Sequence, residues 1–247
     1  MKQFEKEYLS SLVEKVGIIE KLNEGCYILG NSSLDKNMKT LVNYNDVDSW
    51  VENINYLNEQ VKNSAKTLFG IIEKNKDTQH SFSGIENREA YYYTENIMFR
   101  ISILWDLLAQ LTNTVFQLNE NVDEIHHWGF FEKYSANSRR NEPFYTFTKS
   151  VHTYFQENDC SQDKNPWKGN FRFAKDLRNS FTHSLNPHIV NFNNGNFNRQ
   201  ANKHKGTTLP TSPLYETKRL LEDFVQAYEF TVEVRNNYVN QNKNFIK

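Results

Sequence analysis

Phe171–Leu185 reads FRFAKDLRNSFTHSL, and its periodicity decides the fold class. At about 100° per residue, Ala174, Leu177, Phe181 and Leu185 fall on one side of a helix, with Phe171 at its edge. Arg172, Asp176, Asn179 and His183 fall on the opposite side. The stretch therefore reads as an amphipathic helix whose polar side carries an uncommon set of groups. Asn179 and His183 are one turn apart and can touch. Arg178 stands about 140° around the helix from His183. The two reach one site if the guanidinium stem curls round, or if the helix ends near His183. Asn186-Pro187 follows closely, and a residue before proline avoids the α region.

These side chains suit phosphodiester chemistry. Histidine exchanges protons near neutral pH, with an ordinary pKa of ~6.5. Arginine keeps its charge and offers a planar fork of donors to phosphate oxygens. Asparagine can hold either in place. RNA brings its own nucleophile, the 2′-OH, so cleavage needs a base, an acid and a cation but no metal. One histidine per chain supplies one proton shuttle, and a symmetric dimer would supply two.

Arg178-Asn179-Ser180-Phe181-Thr182-His183 resembles the R-x4-6-H motif of the HEPN superfamily, including the polar residue that often follows the arginine. The resemblance covers roughly residues 86–240. It implies an all-α helical bundle that dimerises through the motif helix, and a metal-independent endoribonuclease with a composite site built from two motifs. Such proteins occur in toxin–antitoxin, abortive-infection and CRISPR-linked systems. On this reading Arg178, Asn179 and His183 are catalytic, no cofactor is used, and the partners are RNA, a second copy of the chain and an antitoxin-like protein. Nucleotide-modified members carry a tyrosine two residues after the motif histidine. Leu185 stands there, so that regulation is not carried over.

Composition sets bounds. The chain has 247 residues, 38% hydrophobic and 14% aromatic, enough for a substantial core. Its net charge is −1, so no global basic field attracts nucleic acid and any RNA binding must be local. Cys26 and Cys160 lack metal or redox spacing and read as free thiols of a reducing cytosol. There is no apolar run long enough to span a membrane and no leader-like start. The expectation is a cytoplasmic protein.

Taken in order, apolar spacing predicts a helix over 3–24, a loop at Gly30–Ser33, and a helix from Asp46 as N-cap to Ile72. Polar residues 74–85 read as a linker, making 1–80 a helical extension that packs on the main bundle. Residues 86–118 form the strongest helix, apolar around much of its girth and so central. Its polar members Glu95, Asn96, Arg100 and Asp106 want partners; they either pair within the bundle or orient the motif residues. Asp123, His126 and His127 hint at a metal site, but neither HExxH nor paired cysteines accompany them, so the expectation is a short capped helix with surface histidines. Ser138–Asn141 is a basic turn. Pro143 opens a helix with Phe144, Phe147, Val151 and Phe155 inward, and a last helix starts at Ser212-Pro213 and runs to about Asn237.

Residues 186–213 contain no acid, but hold Arg199, Lys203, Lys205 and two histidines. That is long for an idle connection, and Asn193-Asn194-Gly195 could turn a small hairpin. Together with Arg172 and Lys175, these cations are candidate RNA-backbone ligands, and Phe192 or Phe197 could stack on a base. Two other readings stand beside the nuclease. One is a non-catalytic HEPN-like module that binds RNA or protein. The other is a plain helical scaffold in which Arg178 is an internal ion pair.

Overall fold

A computed structural model describes residues 3–22, 34–74, 85–136, 142–159, 167–183 and 212–241. Seven α-helices account for most of them: α1 (Gln3–Lys15), α2 (Leu34–Lys74), α3 (Ile85–Val115), α4 (His127–Ser135), α5 (Glu142–Gln156), α6 (Asn170–His183) and α7 (Pro213–Gln241). One 3₁₀ turn, Val122–Glu124, precedes α4. The described residues contain no β-strand, so the expected all-α class is what the chain adopts.

α3 is the axis. Ile97, Ile101, Leu104, Leu108 and Leu111 are buried along it. α2 packs along one flank and α7 along another, with α4 and α6 filling the remaining sides. Residues of α1 and α2 join those of α3 to α7 in one continuous apolar core, so the expected boundary near residue 80 is not a break in packing. At the centre lies Trp105, edge-on to Phe155 at 4.9 Å and to Phe171 at 5.6 Å, while those two phenyl rings stack at 3.8 Å. This aromatic knot joins α3, α5 and α6.

Helix ends follow local chemistry. α3 stops at Val115, and Gln117 and Asn119 then take left-handed backbone angles (φ 50° and 59°) that reverse the chain. At the start of α7, Ser212 Oγ accepts from the Tyr215 N–H at 3.2 Å with Pro213 in the first turn, the arrangement expected of a serine cap. α5 buries Phe144, Phe147, Val151 and Phe155 as expected.

Two helix ends differ from expectation. α1 ends at Lys15 rather than near residue 24. Beyond it, side chains of α2 take over the backbone. Asn55 accepts from the Ile19 N–H at 2.9 Å and donates to its carbonyl at 2.8 Å, and Asp48 accepts from the Leu22 N–H at 2.7 Å. Ile19 and Leu22 are still buried, which is why apolar spacing alone suggested a longer helix. α2 begins at Leu34, twelve residues before Asp46. Asp46 is an exposed mid-helix residue and not a cap. Tertiary contacts one turn earlier, Tyr44 edge-on to Tyr238 and Asn43 donating to the Thr114 carbonyl at 3.1 Å, hold the helix past it. The linker at 75–84, the basic turn at 138–141 and the segment 184–211 lie outside the described residues.

Candidate functional site

α6 is held in place by charged groups buried on α7. Arg219 is fully buried. Its guanidinium donates to Asn170 Oδ1, to Asp159 Oδ1 at 2.9 Å, to the Tyr215 hydroxyl at 3.2 Å and to the Lys168 carbonyl at 3.1 Å. It also sits 4.7 Å from the Phe173 ring centroid. Glu222, on the next turn, accepts from the Trp167 N–H at 3.1 Å, from Asn170 Nδ2 at 2.8 Å and from the Tyr8 hydroxyl at 2.5 Å. The segment entering α6 is thus fixed by a fork of donors and by a carboxylate. Gly169 makes the entry possible, with φ +73° and the Asp159 backbone packed where a Cβ would stand.

The far side of this anchor is a narrow cleft between α3 and α6. Phe171, Ala174, Lys175 and Arg178 line it from α6, at the i, i+3, i+4, i+7 spacing of one helix face. Met98, Ile101, Ser102 and Trp105 line it from α3, His127 from α4 and Asp223 from α7. Its volume of 20 Å³ admits about one water-sized group. A phosphate oxygen fits; a nucleobase does not. Asp223 is buried beneath it and accepts from Trp105 Nε1 at 3.0 Å and from the Tyr154 hydroxyl at 2.7 Å. Burial pushes its carboxyl up to about 6, against the opposing pull of those two donors and of Arg219.

The expected site residues divide into two groups. Arg178 is half-buried at the cleft, and no hydrogen bond or ion pair holds its guanidinium among the described residues. Asn179 and His183 are exposed on the outer side of α6, and His183 is the last described residue of that helix. Arg178 and His183 therefore face different directions within one chain, as their five-residue separation requires. Arg172 and Lys175 are used internally. Arg172 donates to Asn158 Oδ1 at 2.9 Å and to the Phe155 carbonyl at 3.4 Å, and Lys175 Nζ lies 3.9 Å from the Trp128 ring centroid. Arg199, Lys203 and Lys205, with the proposed hairpin, lie outside the described residues.

The polar residues of α3 find partners within the bundle. Arg100 donates to Gln60 at 2.8 Å and to Asn96 Oδ1 at 2.6 Å. Asp106 Oδ1 accepts from the His127 backbone N–H at 3.1 Å, and both imidazole Nδ1 atoms approach it, His127 at 2.6 Å and His126 at 3.1 Å. Burial alone would raise the Asp106 carboxyl; the two histidines outweigh it and hold it below the usual carboxylate range. This corrects the expectation of surface histidines. His126 is exposed, whereas His127 is buried edge-on against the stacked pair Phe155 and Phe171. The carboxylate they meet is Asp106, from another helix, and not Asp123.

Sequence reasoning missed Arg219, Glu222 and Asp223. They sit on the buried side of a helix whose apolar residues were taken to be the whole buried side. The run Glu216, Arg219, Glu222, Asp223 at i, i+3, i+6, i+7 was the available signal, since charges at helical spacing between leucines want internal partners. No protein-family model matches the chain, and no curated protein or solved structure is significantly similar to it.

Proposed function

We propose that the protein is a metal-independent endoribonuclease acting as a homodimer, of the toxin or phage-defence type that the HEPN resemblance implies. The observation that carries this reading is the state of Arg178. In a plain helical scaffold a half-buried arginine would be tied to internal partners, as Arg100 is to Gln60 and Asn96 and Arg172 is to Asn158. Arg178 instead lines a cleft with its donors unused among the described residues. His183 and Asn179 lie open to solvent at the end of the same helix.

The chemistry needs two proton carriers. A base removes the 2′-OH proton, O2′ attacks phosphorus, the P–O5′ bond breaks, and an acid protonates the departing O5′. The products are a 2′,3′-cyclic phosphate and a 5′-hydroxyl. With His183 as the shuttle of each chain, two chains provide base and acid. Arg178 neutralises the crowded phosphorane, and Asn179 positions the imidazole one turn away.

An apolar surface supports a paired chain. Tyr92, Phe99 and Ile103 of α3 are 59%, 39% and 47% exposed and share one side of the helix at i, i+7, i+11. Phe99 lies 6.3 Å from the Phe181 ring of α6, so this surface continues onto the motif helix. The same surface would serve the alternative reading, a non-catalytic module that binds an antitoxin-like protein.

The test is RNA cleavage in EDTA by wild type, Arg178→Ala and His183→Ala. Wild type should leave 2′,3′-cyclic phosphate ends, and each variant should be slower by roughly 10²–10⁴-fold. Equal rates in all three, or 3′-hydroxyl products, would exclude this site.

A further inference from the structure

We propose that Asp106, His126 and His127 form a binding site for a divalent transition-metal ion of the zinc, cobalt or nickel class, one that staples the start of α4 to the middle of α3. The inference is independent of the RNA-cleavage reading, which uses no metal, and either can fail without the other.

The three side chains offer one carboxylate oxygen and two imidazole nitrogens, all within 4.8 Å of one another. That donor set suits zinc, cobalt, nickel or copper, whereas magnesium and calcium want oxygens throughout. A tetrahedral ion at ~2.0–2.2 Å from each ligand separates its ligands by roughly 3.4 Å. The Asp106–His126 approach of 3.1 Å is already near that value, and the Asp106–His127 approach of 2.6 Å opens to it by a small side-chain rotation.

Two further observations point to a ligand. First, Asp106 Oδ1 is over-supplied, approached by one backbone N–H and two ring nitrogens. A carboxylate oxygen has two lone pairs, so three donors exceed what it can accept well. An ion that replaces the ring protons relieves this and uses all three groups. Second, His126 occupies the N-cap position of α4 but makes no side-chain cap bond, although serine, threonine, aspartate or asparagine would cap that end. Its ring turns to Asp106 instead.

The surroundings are also suitable. His127 is fixed among Phe155 and Phe171, and Asp106 projects from the long central helix, so two ligands are preorganised. Exposed His126 leaves the outer side open for water or a fourth ligand. The ion would lie next to the Arg178 cleft, because His127 lines both.

The experiment uses the full, untagged chain, freed of metal with EDTA and dialysed, then titrated with CoCl₂, ZnCl₂ and MgCl₂. Visible absorption follows cobalt and the melting temperature follows all three. Wild type should bind one cobalt ion per chain with a visible band, zinc should displace it, both should raise Tm, and magnesium should do neither. His126→Ala removes an exposed ligand that caps nothing. It should fold normally and bind at least about tenfold more weakly. His183→Ala should bind like wild type. Absence of the cobalt band in wild type, or unchanged affinity in His126→Ala, would overturn the assignment, the latter by placing the ion on other residues.

Discussion

Trp105 of α3 donates its indole N–H to Asp223 of α7 at 3.0 Å, a hydrogen bond in the middle of the bundle whose acceptor is a titrating acid. Burial pushes that acid from an ordinary 3.8 up to about 6. Between those values the folded chain holds a proton that the unfolded chain releases. The stability contributed by this group is fully present below about 3.8 and is lost as pH rises through about 6. Unfolding free energy should therefore gain on going from pH 7 to pH 5, and urea denaturation at both values measures it. Asp223→Asn should flatten that gain, whatever it does to stability at pH 7. An equal gain in the variant would mean the proton goes elsewhere.

Arg178 and Arg219 should behave oppositely. The Arg178 guanidinium has no hydrogen-bond or ion-pair partner among the described residues, so Arg178→Ala should change stability by no more than about 1 kcal/mol while slowing cleavage by roughly 10²–10⁴-fold. Arg219→Ala removes the donors of Asn170, Asp159, Tyr215 and the Lys168 carbonyl together. Breaking such a network costs roughly 3 kcal/mol, or a fall in Tm on the order of 10 °C. Thermal denaturation of both variants decides it. A large fall for Arg178→Ala would make that residue a structural ion pair after all.

Gly169 should tolerate no side chain. Its φ of +73° disfavours any L residue, and a Cβ there would lie 2.6 Å from the Asp159 Cα and N. Left-handed backbone alone costs about 1–2 kcal/mol, and the clash is with backbone, which cannot swing aside. Gly169→Ala should lower Tm by several degrees, whereas Gly129→Ala, with open space around its Cβ position, should not.

If two chains meet on the exposed side of α3, a charge placed there should part them. Phe99→Asp and Ile103→Glu should move the protein from dimer to monomer in sedimentation, with the helical circular-dichroism signal intact. Cleavage should be lost with the dimer. A mixture of Arg178→Ala and His183→Ala chains should show no more activity than either alone, because a mixed dimer carries a single His183 and lacks the second proton carrier; partial recovery would mean that one histidine is enough. A dimer that survives both α3 charges lies on another surface.

Much of the fold was legible because helices bury residues at a regular spacing. The inward residues of α5 and the apolar side of α6, from Phe171 to Phe181, follow directly from position along the chain. The helix boundaries were less so. Ile19 and Leu22 are buried like the apolar residues of a helix, but Asn55 and Asp48 satisfy their backbone from another helix. Asp46 looked like a cap and is not one, since packing around Tyr44 carries the helix past it.

Sequence by itself determined the helical class, the amphipathic motif helix, and the placement of Arg178 and His183 on different sides of it, because each follows from local periodicity. Tertiary structure alone decided that Arg178 lies in a cleft without a partner among the described residues while Arg219 is bound, that Arg172 and Lys175 are spent on Asn158 and Trp128, and that Asp106 meets His126 and His127 across twenty residues. Such pairings join groups far apart in the chain. No periodicity encodes them; they exist only once the core around Trp105 has brought α3, α4, α6 and α7 together.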